Sequence, residues 1–144
     1  MTGVEFHFNA PDKLGYACRL LRKAAAKGAK VAVTGEPALL RELDAALWTF
    51  APLEFVPHCQ LDAPAPVLDA SPIVLCEAAR SAPHHQVLVN LGAQVPEGFE
   101  RFERLIEVVT RDEDDRGQAR ARWQHYKARG YALERKDLEL KEQA

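Results

Sequence analysis

The chain has 144 residues, of which 47% are hydrophobic and 28% are charged, the ordinary balance of a globular protein that buries its own core. Its 19 basic and 21 acidic side chains leave a formal net charge of −2, which argues against a protein that binds polyanions over its whole surface. The longest apolar runs are a handful of residues, whereas a transmembrane helix needs about 20, so no membrane span is predicted.

The first third of the chain alternates between strand and helix patterns. Residues 4–8 alternate apolar and polar, as in a half-buried strand, and apolar positions after Lys13 then recur at helical spacing until Gly28. Residues 31–33 form a second apolar run, and Pro37 follows at the first position of a second predicted helix. Strand, helix, strand and helix with short breaks indicate an α/β fold, a mostly parallel sheet flanked by helices.

The middle of the chain is rich in proline and then strongly apolar. Four prolines between residues 57 and 72 predict a loop that carries the chain over an edge of the sheet. Residues 73–76 and 87–91 are continuous apolar runs, the pattern of strands buried on both faces. Residues 99–102 indicate one helical turn, and the β-branched run at 105–109 is predicted as the last strand.

The last third begins with acidic residues and continues with basic ones. Residues 112–115 are all acidic, and residues 116–129 contain five Lys or Arg, one Trp, one Tyr and no acid. Acids in a first turn and bases in later turns are favoured by the helix dipole, so a helix that Gly130 closes is predicted. The mostly charged residues 134–144 are predicted to be a flexible tail, which leaves residues 1–133 as a single α/β domain.

The sequence offers little material for catalysis. Neither GxGxxG nor GxxxxGK[ST] occurs, and neither Ser71 nor Ser81, the only serines, lies in a GxSxG motif. The histidines lack HExxH or CxxC spacing. Three cysteines, an odd number without a CxxC pair, and no charged and then apolar leader indicate the reducing cytoplasm. We expect no catalytic residue, cofactor or metal, with a small nucleotide-dependent α/β enzyme as the alternative.

One face of the predicted last helix combines cations with an aromatic ring. Four residues spaced i, i+4, i+7 and i+11 share this face: Arg116, Arg120, Trp123 and Lys127. Such a face suits an acidic peptide, a carboxylate or a single-stranded nucleic acid backbone. The alternative is that Trp123 packs inward and the cations are a solvated rim, and the pattern leaves both interpretations open.

A second feature is a group of large aromatic residues around the end of the second predicted helix. Trp48, Phe50 and Phe55 lie close together in a chain with only 8% aromatic residues. They are either core residues or an exposed apolar patch of the kind found at protein interfaces. Composition does not choose between these two interpretations.

Several blocks of sequence carry a family resemblance. These blocks are LDAALW at residues 43–48, FVPH at 55–58, VLVNLGAQVPEGFERFERLIEVV at 87–109 and ARARWQHYKARGYAL at 119–133. In this order and separation they resemble the chi subunit of bacterial DNA polymerase III holoenzyme, from the first strand to about Leu133. The resemblance implies a non-catalytic adaptor with a Rossmann-like fold that lacks the nucleotide site.

The resemblance also implies two partner surfaces. In that family, chi contacts the psi subunit of the clamp loader through a surface that an accessory helicase also uses. That surface maps onto Trp48, Phe55, Val56, Pro57 and His58. A second surface holds the acidic C-terminal tail of single-stranded DNA-binding protein (SSB), and contact with nucleic acid is mainly indirect.

The SSB-tail surface maps onto the last predicted helix. Its residues are Arg120, Trp123 and Tyr126, with Arg116, Gln124 and Lys127 beside them. Gln124 stands where a second cation often occurs in the family. The tail ends in aspartates, a proline and a terminal phenylalanine, so it requires cations for its carboxylates and an apolar slot for its ring.

Overall fold

The computed structural model describes residues 2–49, 58–60, 72–79 and 82–139. Its elements in chain order are β1 (Gly3–Ala10), α1 (Lys13–Ala26), β2 (Val31–Thr34), α2 (Pro37–Thr49), β3 (His58–Gln60), β4 (Ile73–Leu75), β5 (Val87–Asn90), a 3₁₀ turn (Phe99–Arg101), β6 (Arg104–Thr110), α3 (Glu113–Ala128) and β7 (Leu133–Asp137). Within these residues, no helix combines the length and apolar character needed to cross a membrane.

The strands form one seven-stranded sheet in the order β3-β4-β2-β5-β6-β1-β7. Every pair of neighbouring strands is parallel. Parallel strands require crossover connections; in the chain, α1 lies between β1 and β2, α2 between β2 and β3, and α3 between β6 and β7. The predicted α/β fold with a parallel sheet is confirmed.

Helices cover both faces of this sheet. On β2, Val31 and Val33 pack into one core cluster with buried residues of α1 and α2. Ala32, between them, packs into a second cluster that contains Ala119 and Tyr126 of α3. Because alternate residues of a strand point to opposite faces, α1 and α2 lie on one side of the sheet and α3 on the other.

The end of the chain corrects one prediction. The charged residues 134–144 were predicted as a flexible tail after a last strand at 105–109, but Leu133–Asp137 forms β7 and pairs in parallel with β1. Leu138, directly after it, is buried in the α1 and α2 side of the core. Charged residues are typical of exposed edge strands, so this strand has the composition of a tail. The folded region therefore extends beyond residue 133, and residues 140–144 lie outside the described part.

The proline-rich stretch corrects a second prediction. His58–Gln60 forms β3 and pairs in parallel with β4 at the edge of the sheet, where only a loop was predicted. Three residues bordered by proline-containing sequence are too short for periodicity to reveal a strand. The prolines at 57, 64 and 66 lie outside the described residues, so the loop prediction stays a prediction there.

Candidate functional site

The α3 helix is fixed at both ends by local interactions. The Asp112 carboxylate caps its start by accepting a hydrogen bond from the Asp115 N–H at 3.1 Å, and acids fill its first turn. Gly130 follows the helix with φ +80°, a left-handed conformation that suits glycine. The sequence prediction of an acid-capped helix closed by Gly130 is confirmed.

One face of α3 is buried and the other carries exposed cations. Ala119, Arg122 and Tyr126 face the sheet. Four of the residues predicted for the SSB-tail surface are exposed: Arg116, Arg120, Gln124 and Lys127. Among the residues the structure describes, neither these two arginines nor Lys127 has an ion-pair partner. We call Arg116, Arg120, Trp123, Gln124 and Lys127 the α3 surface.

Trp123 lies at the border between the α3 surface and the core. Its ring packs edge-on against Phe6 of β1, with 5.1 Å between ring centroids, and the side chain is half-buried. Leu133 packs against the same core cluster. The sequence pattern left open whether Trp123 packs inward or belongs to the cationic face. Both hold in part, because the indole packs against the core and still borders the exposed cations.

The structure corrects the placement of Tyr126. This residue was predicted for the tail-binding surface, but its side chain is fully buried and its ring packs edge-on against Phe99 and Phe6. Its hydroxyl donates a 2.5 Å hydrogen bond to Glu107 Oε2, and burial together with the Glu107 charge raises the pKa of Tyr126. From this position Tyr126 packs α3 onto the sheet, and its side chain is not accessible at the surface.

Behind the α3 surface lies a buried polar cluster that the sequence interpretation missed. Glu107 of β6 is fully buried; Arg122 Nε lies 3.1 Å from its Oε1, and Asn90 donates to Oε1 at 2.8 Å. Arg122 Nη1 also donates to the Ala93 carbonyl at 2.8 Å. Burial raises the pKa of Glu107, and the Arg122 guanidinium opposes that shift. The signal in the sequence was an acid inside the apolar run LIEVV, since a buried carboxylate requires a partner.

The usual ligand position of an open α/β sheet is occupied by side chains here. It lies at the carboxyl ends of β1 and β6, neighbouring strands whose helices α1 and α3 cover opposite faces. Lys13 Nζ is 3.0 Å from Asp115 Oδ1 and 3.2 Å from the Leu91 carbonyl. The Asp12 and Asp112 carboxylates accept from backbone N–H groups at the starts of the two helices. These carboxylates occupy the position where a nucleotide phosphate would bind, and their negative charge would repel it.

The predicted psi surface is described only in part. Trp48, near the end of α2, is 57% exposed and is the one large hydrophobic residue classed as exposed among the described side chains. His58 begins β3, and its side chain lies outside the described part. Phe55, Val56 and Pro57 also lie outside it. Tryptophan is among the residue types enriched at protein interfaces.

The described cysteines and metal-binding residue types form no reactive site. Cys18 and Cys76 are buried free thiols, and burial raises the pKa of both, that of Cys76 to about 11. Within the described side chains, no group of three or more His, Cys, Asp or Glu is placed to hold a metal ion. Neither of these two described thiols is therefore activated as a nucleophile.

Comparison with known proteins identifies relatives along most of the chain. A family model described as "DNA polymerase III chi subunit, HolC" matches residues 1–134. DNA polymerase III subunit chi of Pseudomonas aeruginosa is 30% identical over 139 residues, which cover 93% of this chain and 95% of that protein. The protein of the same name from Haemophilus influenzae is 30% identical over 118 residues, 81% of each chain.

Proposed function

The chain belongs to the DNA polymerase III chi subunit family of replication accessory proteins, and on that premise we propose that it is a non-catalytic adaptor of the replisome. Its α3 surface binds the acidic C-terminal tail of SSB, and a second surface around Trp48 binds the psi subunit of the clamp loader or an accessory helicase. The protein thereby couples the polymerase to SSB-coated template. This role places its action in the cytoplasm.

The proposal depends most on the exposure of Arg120 and on its position next to the half-buried ring of Trp123. Arg120 is exposed and has no ion-pair partner among the described residues, and the half-buried indole of Trp123 lies one turn further along α3. The nearby Asp112 and Asp115 carboxylates are engaged with backbone N–H groups of Asp115 and Thr110. The α3 surface therefore offers an available guanidinium beside an apolar ring, as an acidic tail with a terminal phenylalanine requires.

The expected affinity follows from these two contacts. An arginine that binds a carboxylate with two hydrogen bonds contributes about 1.5–3 kcal/mol. Burial of the terminal phenyl ring contributes about 1.5–3 kcal/mol. Ordering the flexible tail offsets part of this total of about 3–6 kcal/mol, so these two contacts alone give weak binding, with a dissociation constant nearer the millimolar than the micromolar range that rises with salt.

The alternatives have less support. A nucleotide-dependent enzyme would need its phosphate site where Lys13, Asp115 and the two helix caps lie. Direct binding of single-stranded DNA would use the α3 surface, but the acids at 112–115 and the net charge of −2 oppose a polyanion. The tail interaction needs only a few carboxylates and is compatible with both features.

Substitution of Arg120 tests the proposal. We expect Arg120→Ala to abolish measurable binding of an SSB-tail peptide in isothermal titration calorimetry, because the exposed guanidinium is lost and the fold is untouched. The matched control is Arg129→Ala, which removes the same charge from the exposed residue directly after α3, where the guanidinium lies against His125. Unchanged affinity of the Arg120 variant would reject the α3 surface as the tail site.

A further inference from the structure

The edge strand β7 brings a further cation to the side of the sheet that α3 covers. In its parallel pairing with β1, Leu133 aligns with Val4 and Arg135 aligns with Phe6. Aligned residues of neighbouring strands project to the same face. Because the Phe6 ring contacts Trp123 of α3, Arg135 projects to the α3 side, on the strand next to Phe6.

The surroundings of β7 support this orientation. Leu133, two residues before Arg135, packs against the core cluster beneath α3, as Trp123 does. Arg135 is exposed, and among the described residues it has no ion-pair partner. Lys136 projects to the opposite face, where it lines a cavity of about 680 Å³ together with His7 and Arg104. The side chains of these two adjacent cations therefore project to opposite sides of the sheet.

We propose that Arg135 is the second cation of the SSB-tail site, so that the site is formed by α3 and β7 together. This inference rests on the proposed function. Arg135 binds a side-chain carboxylate of the tail's aspartates, whereas Arg120 binds the chain terminus. It supplies from β7 a positive charge that Gln124, an uncharged residue, does not supply from α3.

The physical basis is the geometry of a guanidinium beside an aromatic residue. An arginine binds a carboxylate through two parallel N–H donors, so it fixes direction as well as charge. Trp123 belongs to α3 and its ring packs on Phe6 of β1, the strand that pairs with β7, so cations on α3 and on β7 approach it from different elements. If the phenyl ring of the tail packs on Trp123, the aspartates that precede it in the tail come within reach of Arg135. A general role of edge-strand charges is to prevent pairing with other chains, and that role does not distinguish Arg135 from Lys136.

The test compares two neighbouring cations, Arg135 and Lys136, that project to opposite faces of the sheet. Binding of an SSB-tail peptide is measured by calorimetry for the wild type, Arg135→Ala and Lys136→Ala at the same ionic strength. We expect Arg135→Ala to weaken binding about three- to tenfold, as for the loss of one exposed charge-assisted contact, and Lys136→Ala less than about twofold. Thermal unfolding of each variant checks that β7 remains folded.

A double-mutant cycle identifies the contact itself. With a peptide whose aspartates are replaced by asparagines, Arg135→Ala and the wild type should bind equally. An equal loss in Arg135→Ala and Lys136→Ala, or a loss that persists with the asparagine peptide, overturns the inference and leaves the tail site on α3 intact. If Arg120→Ala binds the peptide as tightly as the wild type, the proposed function fails and the role of Arg135 fails with it.

Discussion

Two arginines of α3, Arg120 and Arg122, have the same chemistry and different roles. Arg120 is exposed on the α3 surface, whereas Arg122 is only 2% exposed and lies 3.1 Å from the buried Glu107 carboxylate. Removing one member of a buried ion pair leaves the other charge without compensation, and the loss of an exposed arginine leaves nothing buried. The first arginine is proposed for binding, and the second stabilises the fold.

We expect Arg122→Ala to lower the free energy of unfolding by about 3–5 kcal/mol, because Glu107 loses its buried partner. Arg120→Ala should change it by less than about 0.5 kcal/mol. Urea denaturation followed by circular dichroism measures both. Similar stabilities for the two variants would contradict the assigned ion pair.

The start of α3 is held against two other elements by one carboxylate. Asp115, in the first turn of α3, accepts hydrogen bonds from the Thr110 N–H at 2.8 Å and from Lys13 Nζ at 3.0 Å. It therefore ties α3 to the end of β6 and to the start of α1. Burial raises the pKa of Asp115, but these donors outweigh burial and hold the pKa below its ordinary value.

A lowered folded-state pKa gives Asp115 a stabilising effect that acid removes. This stabilisation is fully present above the unfolded-state pKa of about 4 and is lost as the pH falls through the folded-state pKa. We expect Asp115→Asn to be less stable than the wild type by about 1.5–3 kcal/mol at pH 7, with a smaller gap at pH 3. Urea denaturation at both pH values tests this, with Asp114→Asn as the exposed control. A gap that widens in acid would contradict the assignment.

Leu138 tests whether the chain beyond Leu133 is structural. Its side chain is 5% exposed and packs in the core on the α1 and α2 side of the sheet. We expect Leu138→Ala to lower the free energy of unfolding by about 2–5 kcal/mol, measured by chemical denaturation. The exposed neighbour variant Glu139→Ala should change it by less than about 0.5 kcal/mol. Equal stabilities would restore the interpretation of this region as a tail.

At the scale of the whole molecule, the sheet separates the two proposed partner surfaces. Trp48 belongs to α2, which covers one face, and Trp123 belongs to α3, which covers the other. No side chain of the described core spans the sheet to join these surfaces directly, because alternate strand residues point to one face or the other. We therefore expect the two proposed partners to bind without competing.

We expect Trp48→Ala to lose binding to psi or to the helicase, since an exposed aromatic residue is a common anchor of a protein interface. The same variant should bind the SSB-tail peptide as the wild type does, and Arg120→Ala should show the reverse pattern. Pull-down assays with both partners measure this. Loss of both activities in one variant would indicate a folding defect and not a separate surface.

Local patterns were sufficient for most elements of this fold. The helical spacing after Lys13, the acids before Arg116 and the apolar run of β5 each depend on neighbours in sequence, and the structure has the predicted element at each place. β3 and β7 were missed because both are edge strands. A short or charged edge strand depends on a distant pairing partner and shows no apolar pattern of its own.

The sequence by itself determined the α/β class, the acid-capped basic helix and the family resemblance, because each is a local or ordered pattern of residues. Only the tertiary structure decided that Arg122 and Tyr126 are buried on Glu107 while Arg120 is exposed. It also placed Arg135 on the side of the sheet that carries Trp123. Those assignments depend on which strand lies beside β1 and which face α3 covers, and contacts between residues distant in sequence determine both.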